Sequence, residues 1–251
     1  MSEPLLAASG IVKTFGGFTA LDDVSFTLAA GRTLGVVGES GSGKSTLVRV
    51  VMRLVAADRG RVTLAGRDLF ALNRAELRRA RRLIQLVPQD PRTSLNPAMT
   101  VQQTLNFQLR AQGVPRRQWA ARSAGLLADV SLPADYLHAY PYELSGGQAQ
   151  RVAIARAIAS RPDVLVCDEA VSALDKSVQA QVLNTLADLQ RQTGVAMLFI
   201  THDLAVVEHM SDDVLVLNRG RVVESGPTAD VLREPGDDYT RELLATRTTL
   251  A

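Results

Sequence analysis

Gly38-Glu39-Ser40-Gly41-Ser42-Gly43-Lys44-Ser45 follows the apolar run Thr33-Leu34-Gly35-Val36-Val37 and opens a helical stretch from Thr46 to Leu54. A strand, a glycine-rich turn and a helix in that order form the setting of a P-loop. Gly38, Gly41 and Gly43, with Ser40 and Ser42 between them, let successive backbone N–H groups wrap a phosphate, and the helix N-terminus adds partial positive charge. Lys44 reaches the terminal phosphates, while Ser45 and Thr46 open the helix and the Ser45 hydroxyl can ligate Mg²⁺. The pattern predicts an α/β fold and a nucleotide ligand, without saying which machine uses it.

A second station lies downstream. Val164-Leu165-Val166-Cys167-Asp168-Glu169 is an apolar strand ending in two carboxylates. Alone, such a pair reads as a helix cap. Paired with a P-loop it reads as a Walker B segment, with Asp168 holding Mg²⁺ through water and Glu169 polarising an attacking water.

The strands expected at 33–37, 163–167 and 195–200 are apolar on both faces, which implies a parallel sheet covered by helices. Ahead of them, 5–14, 23–29 and 61–65 alternate between turn signals such as Gly16-Gly17, as antiparallel strands do. Between Gln89 and Asp163 amphipathic helices replace strands, near 101–112, 115–128 and 147–160. That stretch is expected to be a helical subdomain inserted into the α/β core. The 251 residues are 46% hydrophobic and 22% charged, enough for one domain with a substantial core.

A formal charge of +2 gives no whole-molecule argument for binding nucleic acid. The densest basic run, Arg74, Arg78, Arg79, Arg81 and Arg82, lacks interleaved aromatics and reads as a solvated helix face. The single cysteine, Cys167, fits a reducing compartment. Met1-Ser2-Glu3-Pro4 shows no leader pattern, and no apolar run approaches the roughly 20 residues that span a bilayer. The expected location is the cytoplasm, with another protein holding the chain at any membrane.

Leu144-Ser145-Gly146-Gly147-Gln148, followed by Ala149-Gln150-Arg151-Val152-Ala153-Ile154-Ala155-Arg156-Ala157, resembles the signature motif of ABC ATPases. Physically, Ser145 and the two glycines present N–H groups at a helix start, a second anion site suited to a γ-phosphate. The family's other stations follow in order. Gln89 matches the Q-loop glutamine that approaches Mg²⁺, Ser172-Ala173-Leu174-Asp175 matches the D-loop, and His202 matches the switch histidine. Phe15 matches the aromatic that stacks on adenine, with Phe18 as a competitor. The resemblance runs from Leu5 to about Leu244. It implies a single ABC ATPase domain over 1–251, with a RecA-like P-loop core and small antiparallel β subdomain in 1–88 and 162–251, and a helical subdomain in 89–161. It also implies ATP hydrolysis, with Lys44, Gln89, Glu169 and His202 as catalytic residues.

Val87-Pro88-Gln89-Asp90-Pro91, Ser94-Leu95-Asn96-Pro97-Ala98-Met99-Thr100-Val101 and Val171-Ser172-Ala173-Leu174-Asp175 look like the oligopeptide, dipeptide and nickel importers. That resemblance implies a peripheral subunit on the cytoplasmic face of the inner membrane. Its partners would be two membrane-spanning permeases, a second ATPase and, indirectly, a solute-binding protein. Val171-Ser172 is similar to the second ATPase of such pairs, whose companion tends to read Thr-Thr. Departures are Ala170 in place of the usual proline, Ala149 in place of a charged residue, Lys176 in place of a common valine, and Gly236-Asp237-Asp238-Tyr239-Thr240 in place of His-Pro-Tyr-Thr. The alternative is a soluble ABC protein acting on nucleic acid or the ribosome. Those usually carry two ATPase domains or a long coiled coil, and this sequence has neither.

Overall fold

Thr33–Val37 is a strand buried at every position, as its unbroken apolar run demands, and Ala196–Ile200 is another. Both belong to a computed structural model that describes residues 3–248, so the expectation for Met1 and Ser2 lies outside the described residues. The chain begins with β1 (Leu6–Phe15), β2 (Phe18–Leu28), β3 (Thr33–Val37), α1 (Lys44–Val51), β4 (Arg59–Leu64), β5 (Arg67–Asp68) and α2 (Arg74–Leu83). It continues with β6 (Ile84–Val87), α3 (Pro91–Ser94), α4 (Val101–Ala111), α5 (Trp119–Asp129), α6 (Gly146–Ile158), β7 (Val164–Asp168) and α7 (Lys176–Thr193). The last third holds β8 (Ala196–Ile200), α8 (Leu204–Met210), β9 (Asp213–Asn218), β10 (Arg221–Pro227), α9 (Thr228–Arg233) and α10 (Asp238–Thr248). These elements fall into two compact units, one made of the residues up to Arg81 and from Ala196 on, the other of Arg82–Val195.

The first unit carries two sheets. One is antiparallel, in the order β2-β1-β4-β5, and in the other the strands run β10-β9-β3-β8. β3 pairs in parallel with both β8 and β9, and β10 closes the edge antiparallel to β9. The P-loop helix α1 buries Leu47, Val48, Val50 and Val51. Val37, Leu204, Val207, Val214, Val216 and Val231 form a core cluster beneath the C-terminal segment. β2 begins at Phe18 rather than near 23, because Gly16 and Gly17 take positive φ and turn the chain tightly enough for Phe15 to pair with Phe18.

In the second unit β6 and β7 pair in parallel and the helices follow one another between them. α6 is buried along most of its length, with Val152, Ala153, Ile154 and Ala155 fully inside. The helix expected near 115–128 starts as a 3₁₀ turn at Arg116–Gln118, after Pro115, and becomes α-helical at Trp119. All five arginines of the 74–82 run are exposed, and none of the residues of α2 is buried, so this is a solvated face. No helix among the described residues is long and apolar enough to cross a membrane. Cys167 is completely buried, and burial, with the Asp168 charge in second place, pushes its thiol up to about 12.

Candidate functional site

The loop between β3 and α1 is built by glycine. Gly38 has φ 151°, and a Cβ there would meet the Leu217 carbonyl oxygen at 2.1 Å. At Gly43 it would meet the Ala20 carbonyl oxygen at 2.6 Å, with φ 109°. Only glycine lets β2, β9 and the loop come this close. The loop is tied from outside as well, since the Gly220 N–H donates to the Ser42 carbonyl at 2.8 Å. Lys44 is buried at the start of α1, and its ammonium donates to the carbonyl oxygens of Gly38 at 2.5 Å and Glu39 at 2.7 Å. Ser40, Gly41 and Ser45 are exposed, with Thr46 half-buried behind them.

His202 leaves the same edge of this sheet. Val36 pairs with Ile200 in parallel, so Gly38 and His202 follow neighbouring strands at their C-terminal ends, where ligands of open α/β sheets bind. Phe15 and Phe18 face each other across the Gly16-Gly17 turn, 45% and 66% exposed. The Lys13 ammonium lies 5.1 Å from the centroid of the Phe15 ring and is held by Asp58 at 2.8 Å.

In the second unit the register repeats the logic, for Val87 pairs with Cys167 and so Gln89 and Asp168-Glu169 emerge together from β6 and β7. Gln89 Nε2 donates to a Glu169 carboxylate oxygen at 3.1 Å and to Ser172 Oγ at 3.4 Å. The Glu169 carbonyl in turn accepts from the Ser172 N–H at 3.1 Å and hydroxyl at 3.0 Å. Glu169 itself sits at φ 46°, a left-handed conformation uncommon outside glycine. Asp168 and Glu169 are half-buried, and Ala170 and Val171 behind them are buried.

The signature stretch folds as its sequence reads. Ser145 caps α6, its hydroxyl accepting from the Gln148 N–H at 3.3 Å while the Gln148 carboxamide oxygen accepts from the Ser145 N–H at 2.9 Å, a capping box. Gly146 and Gly147 are therefore the first two residues of the helix. A Cβ on Gly147 would lie 2.3 Å from Val178 Cγ1, so the glycine allows α6 to approach α7. Asp175 caps α7, accepting from the Val178 N–H at 2.9 Å and the Ser177 hydroxyl at 2.8 Å.

Two supports escaped the sequence reading. Gln150, on α6, is buried and donates to the Pro88 carbonyl at 3.1 Å, one residue before Gln89. Arg156, one turn and a half further on, donates to the Ser94 carbonyl at 2.6 Å and hydroxyl at 3.2 Å. Nothing local singled out Gln150 or Arg156 from the other polar side chains of α6, Gln148 and Arg151. Together they fasten the segment after Gln89 to the signature helix.

Residues 21–172 match the family model described as ABC transporter. A protein of Sinorhizobium fredii named "Probable peptide ABC transporter ATP-binding protein" is 46% identical over 98% of this chain and 73% of its own length. The glutathione import ATP-binding protein GsiA of Pectobacterium atrosepticum is also 46% identical, over 97% of this chain and 41% of its own length. Among solved structures, a dimeric ATP-binding cassette in a post-hydrolysis state, bound to ADP and Pi, superposes with a TM-score of 0.78 at 27% identity. That match covers 89% of this chain and 98% of the other.

Proposed function

Because this chain belongs to the ABC transporter family and is one of its ATPases, we propose that it powers a bacterial importer of peptides. The observation that carries the hydrolytic part of this reading is the hydrogen bond from Gln89 to Glu169, which ties the residue after β6 to the carboxylate at the end of β7. A glutamate aligned by a neutral carboxamide can accept a proton from water, and the water then attacks the γ-phosphate of ATP to give ADP and phosphate. Lys44 stabilises charge on the terminal phosphates, and the amides of Gly38, Gly41, Gly43 and the start of α1 bind the phosphate chain. His202 and, from the partner ATPase, the start of its signature helix contact the γ-phosphate, and the Ser145-capped start of α6 does the same at the partner's P-loop. Phe15 stacks on adenine.

The donor set assigned to Mg²⁺, the Ser45 hydroxyl, the Gln89 carboxamide and the Asp168 carboxylate, is all oxygen, which suits this hard cation. When bound, the ion neutralises phosphate charge.

The relatives described above are named as a peptide ABC transporter ATP-binding protein and a glutathione import ATP-binding protein, which favours peptides over nickel or metal chelates. Two membrane-spanning permeases, an indirectly engaged solute-binding protein and a second ATPase are the proposed partners, with this chain on the cytoplasmic face of the inner membrane. Residues 89–161 form the proposed helical subdomain that meets the permeases, and the segment Asp90 to Val101, fastened by Arg156, is the docking segment. Nucleic acid is not a proposed partner. The test is reconstitution with the candidate permeases and binding protein in vesicles: ATP-dependent uptake of a labelled peptide supports the reading, and uptake of nickel chelates with no peptide uptake overturns the solute class.

A further inference from the structure

The backbone of Glu39, in the phosphate-binding loop, is bonded through both its carbonyl and its N–H. Its carbonyl accepts from the Lys44 ammonium at 2.7 Å and from the Ser42 N–H at 3.2 Å. Its N–H donates at 3.0 Å to the hydroxyl of Tyr239, a residue 200 positions away on the first turn of α10. Tyr239 is placed by a chain of contacts that begins on β10. The Glu224 carboxylate accepts from the N–H groups of Gly236 at 2.7 Å and Asp237 at 3.2 Å. The Asp237 carboxylate accepts from the Tyr239 N–H at 2.8 Å, and Arg241 closes the turn by donating to the carbonyls of Pro235 and Gly236. The Tyr239 ring packs on the cluster that contains Val37, the residue before Gly38.

We propose that Tyr239 is a positioning residue for nucleotide, holding the entry of the phosphate-binding loop through the Glu39 amide. The assignment rests on the phosphate-binding reading of Lys44 given above. A loop with Gly38, Gly41 and Gly43 all at positive φ has little stiffness of its own, so its shape must be imposed by contacts from outside. The Gly220 N–H supplies one at Ser42, and Tyr239 supplies the other at Glu39. For the Lys44 ammonium to engage phosphate oxygens it must turn away from the carbonyls of Gly38 and Glu39, and the Tyr239 hydroxyl, accepting from the Glu39 N–H, then keeps the Gly38–Glu39 peptide in register. This gives the altered Gly236-Asp237-Asp238-Tyr239-Thr240 stretch a role: it carries one hydroxyl back to the phosphates.

Tyr239→Phe removes the acceptor and leaves the ring packed, which separates positioning from folding. The full chain and this variant are titrated with a fluorescent ADP analogue in the presence of Mg²⁺, and the melting temperature of each is recorded without nucleotide. Expected is a Kd raised about 3- to 10-fold, the range for one lost hydrogen bond, at an unchanged melting temperature. In the assembled transporter KM for ATP rises while kcat stays. Glu224→Gln loosens the same turn, and the double variant Tyr239→Phe with Glu224→Gln binds no more weakly than Tyr239→Phe alone. A Tyr239→Phe chain with wild-type Kd, or one whose lost affinity tracks a lowered melting temperature, overturns the proposal while the nucleotide-binding reading survives. A wild-type chain that binds no ADP overturns both.

Discussion

Gln89 Nε2 lies 3.1 Å from the carboxylate of Glu169, and the same carboxamide reaches Ser172 Oγ at 3.4 Å. The residue that follows β6 thus holds the carboxylate that ends β7, and the Glu169 backbone is kept at φ 46° by the two bonds from Ser172 to its carbonyl. Glu169→Gln retains the shape and hydrogen bonding of the side chain but cannot take a proton. ATP hydrolysis by the assembled transporter falls at least ~100-fold while ATP still binds, because positioned proton transfer is worth that much. Turnover near the wild-type rate would assign the proton to another group.

Gly147 tests the packing of the signature helix. A Cβ there would lie 2.3 Å from Val178 Cγ1, inside any real contact distance. Gly147→Ala therefore destabilises the chain by about 1–3 kcal/mol, the range for overpacking. Removing the opposing methyls by Val178→Ala in the same chain restores part of that loss. Urea unfolding of the two single variants and the double variant measures the coupling, and strictly additive effects would mean that the clash is relieved elsewhere.

These motifs were legible because their chemistry is local. A P-loop, a strand ending in Asp-Glu, and a Ser-Gly-Gly-Gln helix start each announce themselves within a few residues, and the burial of β3, β7 and β8 follows from apolar runs that cannot face water. Gln150 to Pro88, Arg156 to Ser94 and Tyr239 to Glu39 join residues 62 to 200 positions apart, and no short-range pattern encodes which carbonyl or amide a long side chain will meet. β9 is a different omission: Val214-Leu215-Val216-Leu217 is as apolar as β3 and could have been read as a buried strand on the same grounds.

The Lys13–Asp58 pair at the base of the Phe15 hairpin predicts a pH dependence. The hydrogen bond from Lys13, followed by the Thr14 amide, holds the Asp58 carboxyl below its ordinary value. A depressed carboxylate contributes stability that is present above its unfolded value and is lost as pH falls through the folded one. Asp58→Asn should lower the melting temperature at pH 7, and the gap from wild type should close as pH drops below the ordinary Asp range. A gap that persists in acid would attribute the effect to packing instead of charge.

Phe15 and Phe18 are both exposed at the same turn, but only Phe15 has the Lys13 ammonium near its ring. With Phe15 stacked on adenine, Phe15→Ala weakens ATP binding by about 1–3 kcal/mol, the worth of a base on an aromatic face. Phe18→Ala does less. Calorimetric titration of both variants decides the matter, and the reverse order would move the adenine to Phe18.

The remaining prediction concerns the partner ATPase. Val171-Ser172 resembles the second ATPase of paired importers, in which the P-loop of each chain is completed by the signature of the other. Here the Ser145-capped start of α6 offers its N-terminal glycine amides, and a helix N-terminus of this kind gains from an anion brought by a partner. If the companion differs from this chain, neither ATP site is complete in the purified protein. Alone, the chain is then expected to be monomeric with ATP and to hydrolyse it slowly, and turnover rises when the companion ATPase and the permeases are added. Ser145→Arg, which places bulk and charge at the helix start, should abolish the turnover at the companion's P-loop while ATP binding at Lys44 of this chain persists. Light scattering during size-exclusion chromatography, paired with an ATPase assay on the isolated chain, gives the deciding measurement: a stable ATP-bound homodimer at full activity would show that two identical copies suffice, leaving the assignment to the ABC transporter family intact.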